Sequence, residues 1–278
     1  MARKKKTSEE ANDMNFLEHL AVLRGHILRS LASVLVFAIV AFLLKDIIFN
    51  YVLFAPKNPE FFTNELFCRL SKAMNTDKLC LNTTPLEIIN IDLAGQFKIH
   101  LIISFFGGLI LSSPYIFFEI YRFVLPALKD KERKYSKGMV FFTSALFILG
   151  ILFGFFVIIP LTINFLGGYS VSEQVENQIN LRSYIRSVTS VTLSTGLVFE
   201  LPVLIYFLSK VGIVTPDFLR NYRKHAIVVF LILSGIITPP DIISQFLVCI
   251  PLIVLYEVSI LISGRIERQR IARDEGED

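Results

Sequence analysis

The stretch Gly235–Gln245 (GIITPPDIISQ) separates two apolar runs, at residues 226–237 and 246–262. One continuous helix over 226–262 would be about 55 Å long, nearly twice the roughly 30 Å hydrocarbon core of a bilayer. It would also carry adjacent prolines in its interior, where each removes a backbone hydrogen bond. The stretch therefore predicts a tight turn between two membrane helices, and the fold depends on this turn.

The composition of the whole chain is that of a membrane protein. Its 278 residues are 53% hydrophobic and include 26 Phe, and the mean hydropathy is +0.59. The net charge of +4 is concentrated beside apolar runs, which is typical of membrane topology and not of nucleic-acid binding. The basic N-terminus MARKKK precedes an apolar run with no cleavage site behind it, which predicts an uncleaved anchor helix. We expect lipid, and no nucleic acid, around this chain.

Six apolar runs predict an all-α polytopic membrane protein with six transmembrane helices. Four runs reach the roughly 20 residues that a span requires: 27–49, 97–125, 139–166 and 184–208. The last two, flanking the Pro-Pro turn, have 12 and 17 residues, or about 18 and 26 Å of helix. The sequence therefore predicts two short helices at the end of the bundle.

The distribution of basic residues orients these spans. Lys and Arg cluster before the first span, between the second and third, before the fifth and after the sixth. The positive-inside rule makes these segments cytoplasmic, so both termini are predicted to lie inside. The predicted organisation is a cytoplasmic N-terminal segment at 1–26, a membrane domain at 27–262 with an outer loop at 51–96, and a cytoplasmic tail at 263–278.

The outer loop carries an apolar residue at every fourth position: Phe62, Leu66, Leu70 and Met74. This spacing predicts an amphipathic helix, which lies either on the bilayer surface or against its own loop.

The same loop contains Cys68 and Cys80, and an oxidising exterior permits a disulfide between them. Sequence alone leaves their pairing open, because it does not supply the geometry. The four histidines are scattered without metal-ligand spacing, so no metal site is predicted.

Two carboxylates are candidates for a functional role. Glu200 lies in the middle of the fourth span, where an ionisable group is expected to face protein or water. It either takes part in transport or locks two helices together as a hydrogen-bonded carboxyl. Glu132 lies in a cytoplasmic charge run, which is either simply solvated or binds a cationic guest.

Five motifs in order along the chain resemble those of the TatC family, the receptor subunit of the twin-arginine protein translocase. They are HLAVLR at 19–24, FVLPAL at 123–128 followed by KER at 131–133, FELPV at 199–203, TPPDIISQ at 238–245, and PL at 251–252 followed by LYE at 255–257. The order of the motifs, with six spans and matching topology, makes the resemblance specific over nearly the whole chain.

The resemblance implies a concave, glove-like bundle that binds signal peptides carrying paired arginines, with no enzymatic activity and no cofactor. It also implies small single-span TatA/TatB-type partners, homo-oligomerisation within the receptor complex, and proton-motive-force-driven export of folded proteins. The location implied is the bacterial cytoplasmic (inner) membrane.

Position by position, the resemblance assigns the arginine pair to Glu132 and ties Arg24 and Phe123 to signal recognition. A guanidinium is always charged, and its fork pairs bidentately with a carboxylate. Further positions matched by the family are Glu200 and Gln245 as polar residues of the concave face, and Pro56 and Asp241 in the outer loops.

One departure from the family pattern affects the peptide site. The position at which the family pattern has the second carboxylate is occupied by Val22 in this chain, and the later basic position is occupied by His26. Glu18 lies four residues before Val22, on the same face of a helix, so we hypothesise that Glu18 supplies the missing charge.

Two other classes of function compete with a translocase receptor. An ion-coupled transporter would use bent spans and Glu200, but such proteins often repeat their broken helices, and the Thr-Pro-Pro-Asp feature has no second copy. An intramembrane hydrolase would use serines of the fourth span, but that span has no histidine and the chain has no GxSxG motif. The receptor is therefore the favoured reading.

Overall fold

The computed structural model describes residues 16–73, 87–124, 136–172, 174, 177–238 and 242–274, and these are mainly α-helical. Its α-helices are α1 Phe16–Leu43, α2 Phe62–Ala73, α3 Gly95–Val124, α4 Ser136–Phe153, α5 Ile159–Gly168, α6 Leu181–Val198, α7 Leu201–Val211, α8 Pro216–Asn221, α9 Arg223–Ile237 and α10 Ile242–Asp274. Short π-helices cover Ile47–Leu53 and Gly154–Ile158, and a 3-10 turn covers Ala55–Lys57. The predicted all-α fold class is confirmed.

Among the described residues, five helical stretches are long and apolar enough to cross a membrane: Ala21–Leu43, Gly95–Val124, Gly138–Gly168, Leu181–Val211 and Gln245–Gln269. They match the first four predicted spans and the sixth, so this is a multi-pass membrane protein. The predicted fifth span lies in α9, which has 15 residues and is about 22 Å long. The count of six spans and the inward termini stay predictions.

The last helix is longer than its apolar run, which corrects one expectation. The sequence predicted a short helix at 246–262, but α10 contains 33 residues and is about 50 Å long. Its second part, RIERQRIARD, is rich in residues with high helix propensity and continues the helix after the apolar run ends. Much of the predicted cytoplasmic tail is therefore helical, and α9 is the short member of the pair.

Prolines interrupt two of the membrane helices. Pro160 follows the π-helix Gly154–Ile158, and Pro202 lies in the first turn of α7, just after the break that separates α7 from α6. Proline suits the first turn of a helix because its missing N–H would have no intrahelical partner there. Glu200 is left at the break, where its carbonyl accepts from the N–H groups of Val203 and Leu204 at 3.0 Å.

The chain divides into two compact units: unit 1 is residues 1–43 with 104–144, and unit 2 is residues 44–103 with 145–278. Unit 2 contains a continuous apolar core. Its fully buried members include Ile158, Ile159, Ile185, Val248 and Leu252. A two-residue parallel ladder pairs Ile88 with Ile179 and Ile89 with Asn180, and joins the two outer segments of this unit.

Unit 1 is held by a close contact between α1 and α3. A Cβ atom at Gly108 would lie 2.6 Å from the backbone nitrogen of Ala38 and 2.7 Å from the carbonyl oxygen of Val34. Small residues at helix interfaces let membrane helices approach this closely, which increases dispersion contact where lipid provides little hydrophobic drive. Glycine is therefore the side chain that fits at position 108.

The outer-loop helix predicted from Phe62 and Leu66 is confirmed as α2. Its polar side is the buried one: Asn64 is 1% exposed and its Nδ2 donates to the carbonyl oxygens of Pro56 and Asn58 at 3.2 and 2.8 Å. Phe62 and Leu66 are 69% and 46% exposed. Because the apolar side faces outward, the structure favours a helix on the bilayer surface over one that packs on its own loop.

Candidate functional site

A charged cluster in unit 1 joins α1 to α3. His26 Nδ1 lies 2.5 Å from Glu119 Oε2, and Arg29 Nη1 donates to the same oxygen at 3.1 Å. Tyr115 lies one turn before Glu119 on the same face of the helix. Glu119 is 2% exposed, whereas the Arg29 side chain is 51% exposed. The carboxylate is thus buried and hydrogen-bonded, and a half-exposed guanidinium lies against it.

The helical spacing of α3 brings Phe123 into the same cluster. Phe123 lies four residues after Glu119, so the two side chains project from one face of the helix. The His26 and Phe123 rings meet edge to face, with centroids 6.0 Å apart and planes at 66°. His26 therefore contacts both the carboxylate and the aromatic residue, and the cluster is one connected group of side chains.

The structure brings only some of the predicted peptide-binding residues into or near this cluster. Phe123 belongs to the cluster, and Arg24 is exposed on α1, two residues before His26. Glu132 lies outside the described residues. Glu18 lies in α1, but its side chain is outside the described part of the structure. The proposed pairing of the peptide with Glu132 and Glu18 therefore stays a prediction.

Sequence reasoning missed Glu119, although a usable signal was present. The segment FFEIYRFV places this carboxylate near the end of the second apolar run. An ionisable residue inside a membrane helix indicates a functional site by default, with a partner to be found. Its partners, His26 and Arg29, lie about 90 residues earlier in the chain, so only the fold brings the three together.

Glu200 lies at the α6–α7 break in unit 2 and has a different environment. Its Oε1 atom is buried and has no hydrogen-bond partner among the described residues. The neighbouring Phe199 packs against Phe153 with ring centroids 5.6 Å apart. Leu197 and Leu204, three residues before and four after Glu200, are 70% and 54% exposed. The carboxyl therefore accompanies an outward-facing apolar surface.

Gln245 makes a contact between helices. Its Nε2 donates to the carbonyl oxygen of Leu231 at 2.9 Å, which ties the start of α10 to α9. A Cβ atom at Gly235 would lie 3.3 Å from that nitrogen, so a small residue is favoured there. Asp241, in the turn between these helices, lies outside the described residues. The amide of Gln245 therefore stabilises the α9–α10 pair, whatever further role it has on a concave face.

The cysteines and histidines bear on disulfide and metal chemistry. Cys68 is disulfide-bonded, and Cys249 is a free, buried thiol in α10. Cys80 lies outside the described residues, and its pairing with Cys68 stays a prediction. Within the described ranges, no group of three or more His, Cys, Asp or Glu side chains is arranged to hold a metal ion.

The fold and these sites define a class: an all-α, multi-pass membrane protein with a buried carboxylate in one helix and a partly buried carboxyl group at a helix break. The profile of the Sec-independent protein translocase protein (TatC) family matches residues 18–251. The chain belongs to the TatC family. It is therefore a component of the twin-arginine protein translocation system and not an enzyme, and the family implies a complex with other subunits.

Individual relatives align with this chain over most of their length. The chain is 41% identical to TatC of Blattabacterium sp. subsp. Periplaneta americana (strain BPLAN) over 94% of this chain and 99% of the relative. It is 32% identical to TatCy of Bacillus subtilis (strain 168) over 92% and 91%. A crystal structure of the twin-arginine translocase receptor TatC superposes with a TM-score of 0.68 at 29% identity, covering 90% of this chain and all of the other.

Proposed function

We propose that this chain is the receptor of a twin-arginine translocase and binds the paired arginines of signal peptides at the cytoplasmic ends of its helices. The observation that carries the proposal is the guanidinium of Arg29 bound to the buried Glu119 carboxylate, four residues before Phe123. This end of α3 has the chemistry that binds an arginine. Glu132, nine residues beyond Phe123, supplies a further carboxylate in the adjoining segment.

The proposed orientation has both termini in the cytoplasm of a bacterium, with the spans in the inner membrane. It is supported by the basic clusters before the first span, between the second and third, before the fifth and after the last. Labelling a single engineered cysteine near each terminus with a membrane-impermeant reagent tests it. Labelling only after the inner membrane is permeabilised agrees with the proposal, and labelling in intact spheroplasts contradicts it.

The proposed partners are TatA/TatB-type single-span subunits and further copies of this chain, acting with the proton-motive force to export folded proteins. The exposed Leu197 and Leu204 beside the unpartnered Oε1 of Glu200 support an intramembrane contact at this face. An apolar helix carrying one hydrogen-bond donor matches both features of the surface. Glu200 and Gln245 are thus proposed as polar residues of the face that meets the partners.

Crosslinking tests the receptor function directly. A photoreactive residue placed beside Glu132 is expected to capture a precursor whose signal peptide carries paired arginines. Replacing both arginines with lysine is the matched control, because it keeps the charge and removes the bidentate fork. Glu132→Gln is expected to weaken capture, and equal capture of the arginine and lysine precursors contradicts the proposal.

A further inference from the structure

The peptide site needs a second carboxylate, and the first helix does not provide one at the family position. Paired arginines present two guanidinium groups, whereas Val22, in the first motif of the chain, is an aliphatic side chain that is 40% exposed. A lone carboxylate at Glu132 would leave one guanidinium without an anionic partner. The described residues of unit 1 offer a buried carboxylate at the cytoplasmic end of the same region, Glu119.

Glu119 already binds a guanidinium group, which is the interaction that the second arginine of the peptide requires. Its Oε2 atom accepts from the guanidinium of Arg29 at 3.1 Å while it contacts His26 Nδ1. A carboxylate has about four acceptor positions, so a bound histidine still leaves sites for a guanidinium fork. The His26 contact holds the carboxylate in place, and the His26 ring in turn meets the Phe123 ring.

Exposure indicates which of the two partners of Glu119, His26 or Arg29, is exchangeable. His26 is buried at 8% exposure together with Glu119, whereas the Arg29 side chain is 51% exposed. Arg29 thus extends from solvent to a carboxylate that is otherwise covered. Replacing one guanidinium with another leaves the charge of the cluster unchanged, so the exchange does not strand a buried charge.

We propose that Glu119 is the second arginine subsite of the receptor, that Arg29 occupies it in the free protein, and that an arginine of the signal peptide displaces Arg29. The inference rests on the proposed receptor function. It places one peptide guanidinium at Glu119, and it removes the need for Glu18 to replace Val22. Because Arg29 occupies the subsite, the apparent Kd equals the intrinsic Kd divided by the fraction of receptor whose subsite is open.

The decisive experiment measures the Kd of the purified full-length receptor in detergent for a synthetic signal peptide with adjacent arginines. Arg29→Ala is expected to lower the Kd about 3-fold or more, because the subsite loses its internal occupant. Arg122→Ala is the matched control, because it removes one exposed arginine from the same end of α3 without opening the carboxylate. Unchanged or weaker binding by Arg29→Ala overturns the inference.

A second arm uses Glu119→Gln with four peptides: Arg-Arg, Arg-Lys, Lys-Arg and Lys-Lys. The variant is expected to raise the Kd for Arg-Arg about 10-fold or more, and to bind that peptide no better than one of the two mixed peptides. Discrimination of both arginines retained in Glu119→Gln overturns the inference. If Glu119→Gln does not fold, the Arg29→Ala arm decides alone, since it leaves the Glu119–His26 contact in place.

These outcomes separate the inference from the receptor function on which it rests. Equal binding of Arg-Arg and Lys-Lys by the unmodified receptor overturns both. Preference for Arg-Arg that is lost in Glu132→Gln but insensitive to Glu119→Gln and Arg29→Ala keeps the receptor function and overturns the Glu119 subsite.

Discussion

Unit 1 and unit 2 bury different kinds of side chain. In unit 2, isoleucine, leucine and valine side chains from several helices form one continuous apolar cluster. In unit 1, the described buried side chains include Glu119, His26 and several serines, and the α1–α3 contact depends on Gly108. The proposed peptide site thus lies in the unit that relies on ionic and close backbone contacts, while the unit with the apolar core provides the larger packed body.

The carboxyl groups of Glu119 and Glu200 also differ between the two units. Glu119 in unit 1 is paired within the chain by His26 and Arg29. Glu200 in unit 2 has a buried Oε1 atom without a partner among the described residues. A buried polar atom without a hydrogen bond is costly. The hydrogen bonds of Glu119 therefore offset the cost of its burial, whereas no partner among the described residues offsets the cost for the Oε1 atom of Glu200.

The largest expected effect comes from overpacking the α1–α3 contact. Gly108→Val is expected to lower the free energy of unfolding by about 3 kcal/mol or more, because the new side chain meets backbone atoms of Val34 and Ala38 that cannot move independently. Thermal unfolding in detergent measures the change. Gly138→Val is the matched control, since a Cβ there meets nothing within 4 Å. Equal melting temperatures for the two variants contradict the proposed close packing of unit 1.

The next effect compares the two carboxyl groups directly. Glu119→Gln is expected to destabilise the receptor by about 1 to 3 kcal/mol, because it removes charge-assisted hydrogen bonds to His26 and Arg29. Glu200→Gln is expected to change stability by less than about 0.5 kcal/mol, since no bond of the buried Oε1 atom is lost. Denaturant titration of both variants measures the difference. A larger loss for Glu200→Gln would show that the assignment of partners is wrong.

A smaller effect is expected inside unit 2, where Ser209 and Ser263 connect α7 to α10. Their Oγ atoms are buried and lie 2.8 Å apart. Removing either hydroxyl with alanine is expected to cost about 0.6 kcal/mol, the usual worth of such a bond between membrane helices. A double-mutant cycle measures the coupling, and fully additive losses would show that the two hydroxyls do not stabilise one another.

The smallest effect is expected at the Arg223–Glu257 ion pair. The charged atoms lie 2.6 Å apart, but the side chains are 48% and 44% exposed. Solvent and salt screen such a pair, so Arg223→Gln is expected to change stability by less than about 0.5 kcal/mol. Melting temperatures at low and high salt test this. A loss as large as that of Glu119→Gln would remove the distinction between buried and exposed pairs.

Most of the helical architecture was predictable from local sequence. Runs of apolar residues specify spans because a bilayer requires about 20 of them in a row. The helix α9 ends at Ile237, shortly before the two prolines of the sequence, as expected because proline cannot continue a helix. The four-residue spacing of Phe62 and Leu66 likewise predicted α2. The predicted length of α10 was wrong because an apolar run indicates only the part of a helix that crosses the membrane. The helix itself continues through polar residues of high helix propensity.

The candidate site was less predictable, since its residues come from separate helices. Local motifs proposed Arg24 and Phe123 as site residues, and these assignments stay predictions. Glu119 was missed because its significance lies in His26 and Arg29, which no local pattern connects to it. The lack of a partner for Glu200 Oε1 among the described residues and the amide contact of Gln245 with Leu231 also require knowledge of what packs against each side chain.

The sequence by itself determined that this is a helical, multi-pass membrane protein of the TatC type, because span length, proline positions and short motifs are local properties of the chain. Only the tertiary structure decided which carboxyl groups have hydrogen-bond partners among the described residues. Hydrogen-bond partners in a membrane protein come from neighbouring helices, and a distance of 3.1 Å between Arg29 and Glu119 has no signature in residues that lie 90 positions apart.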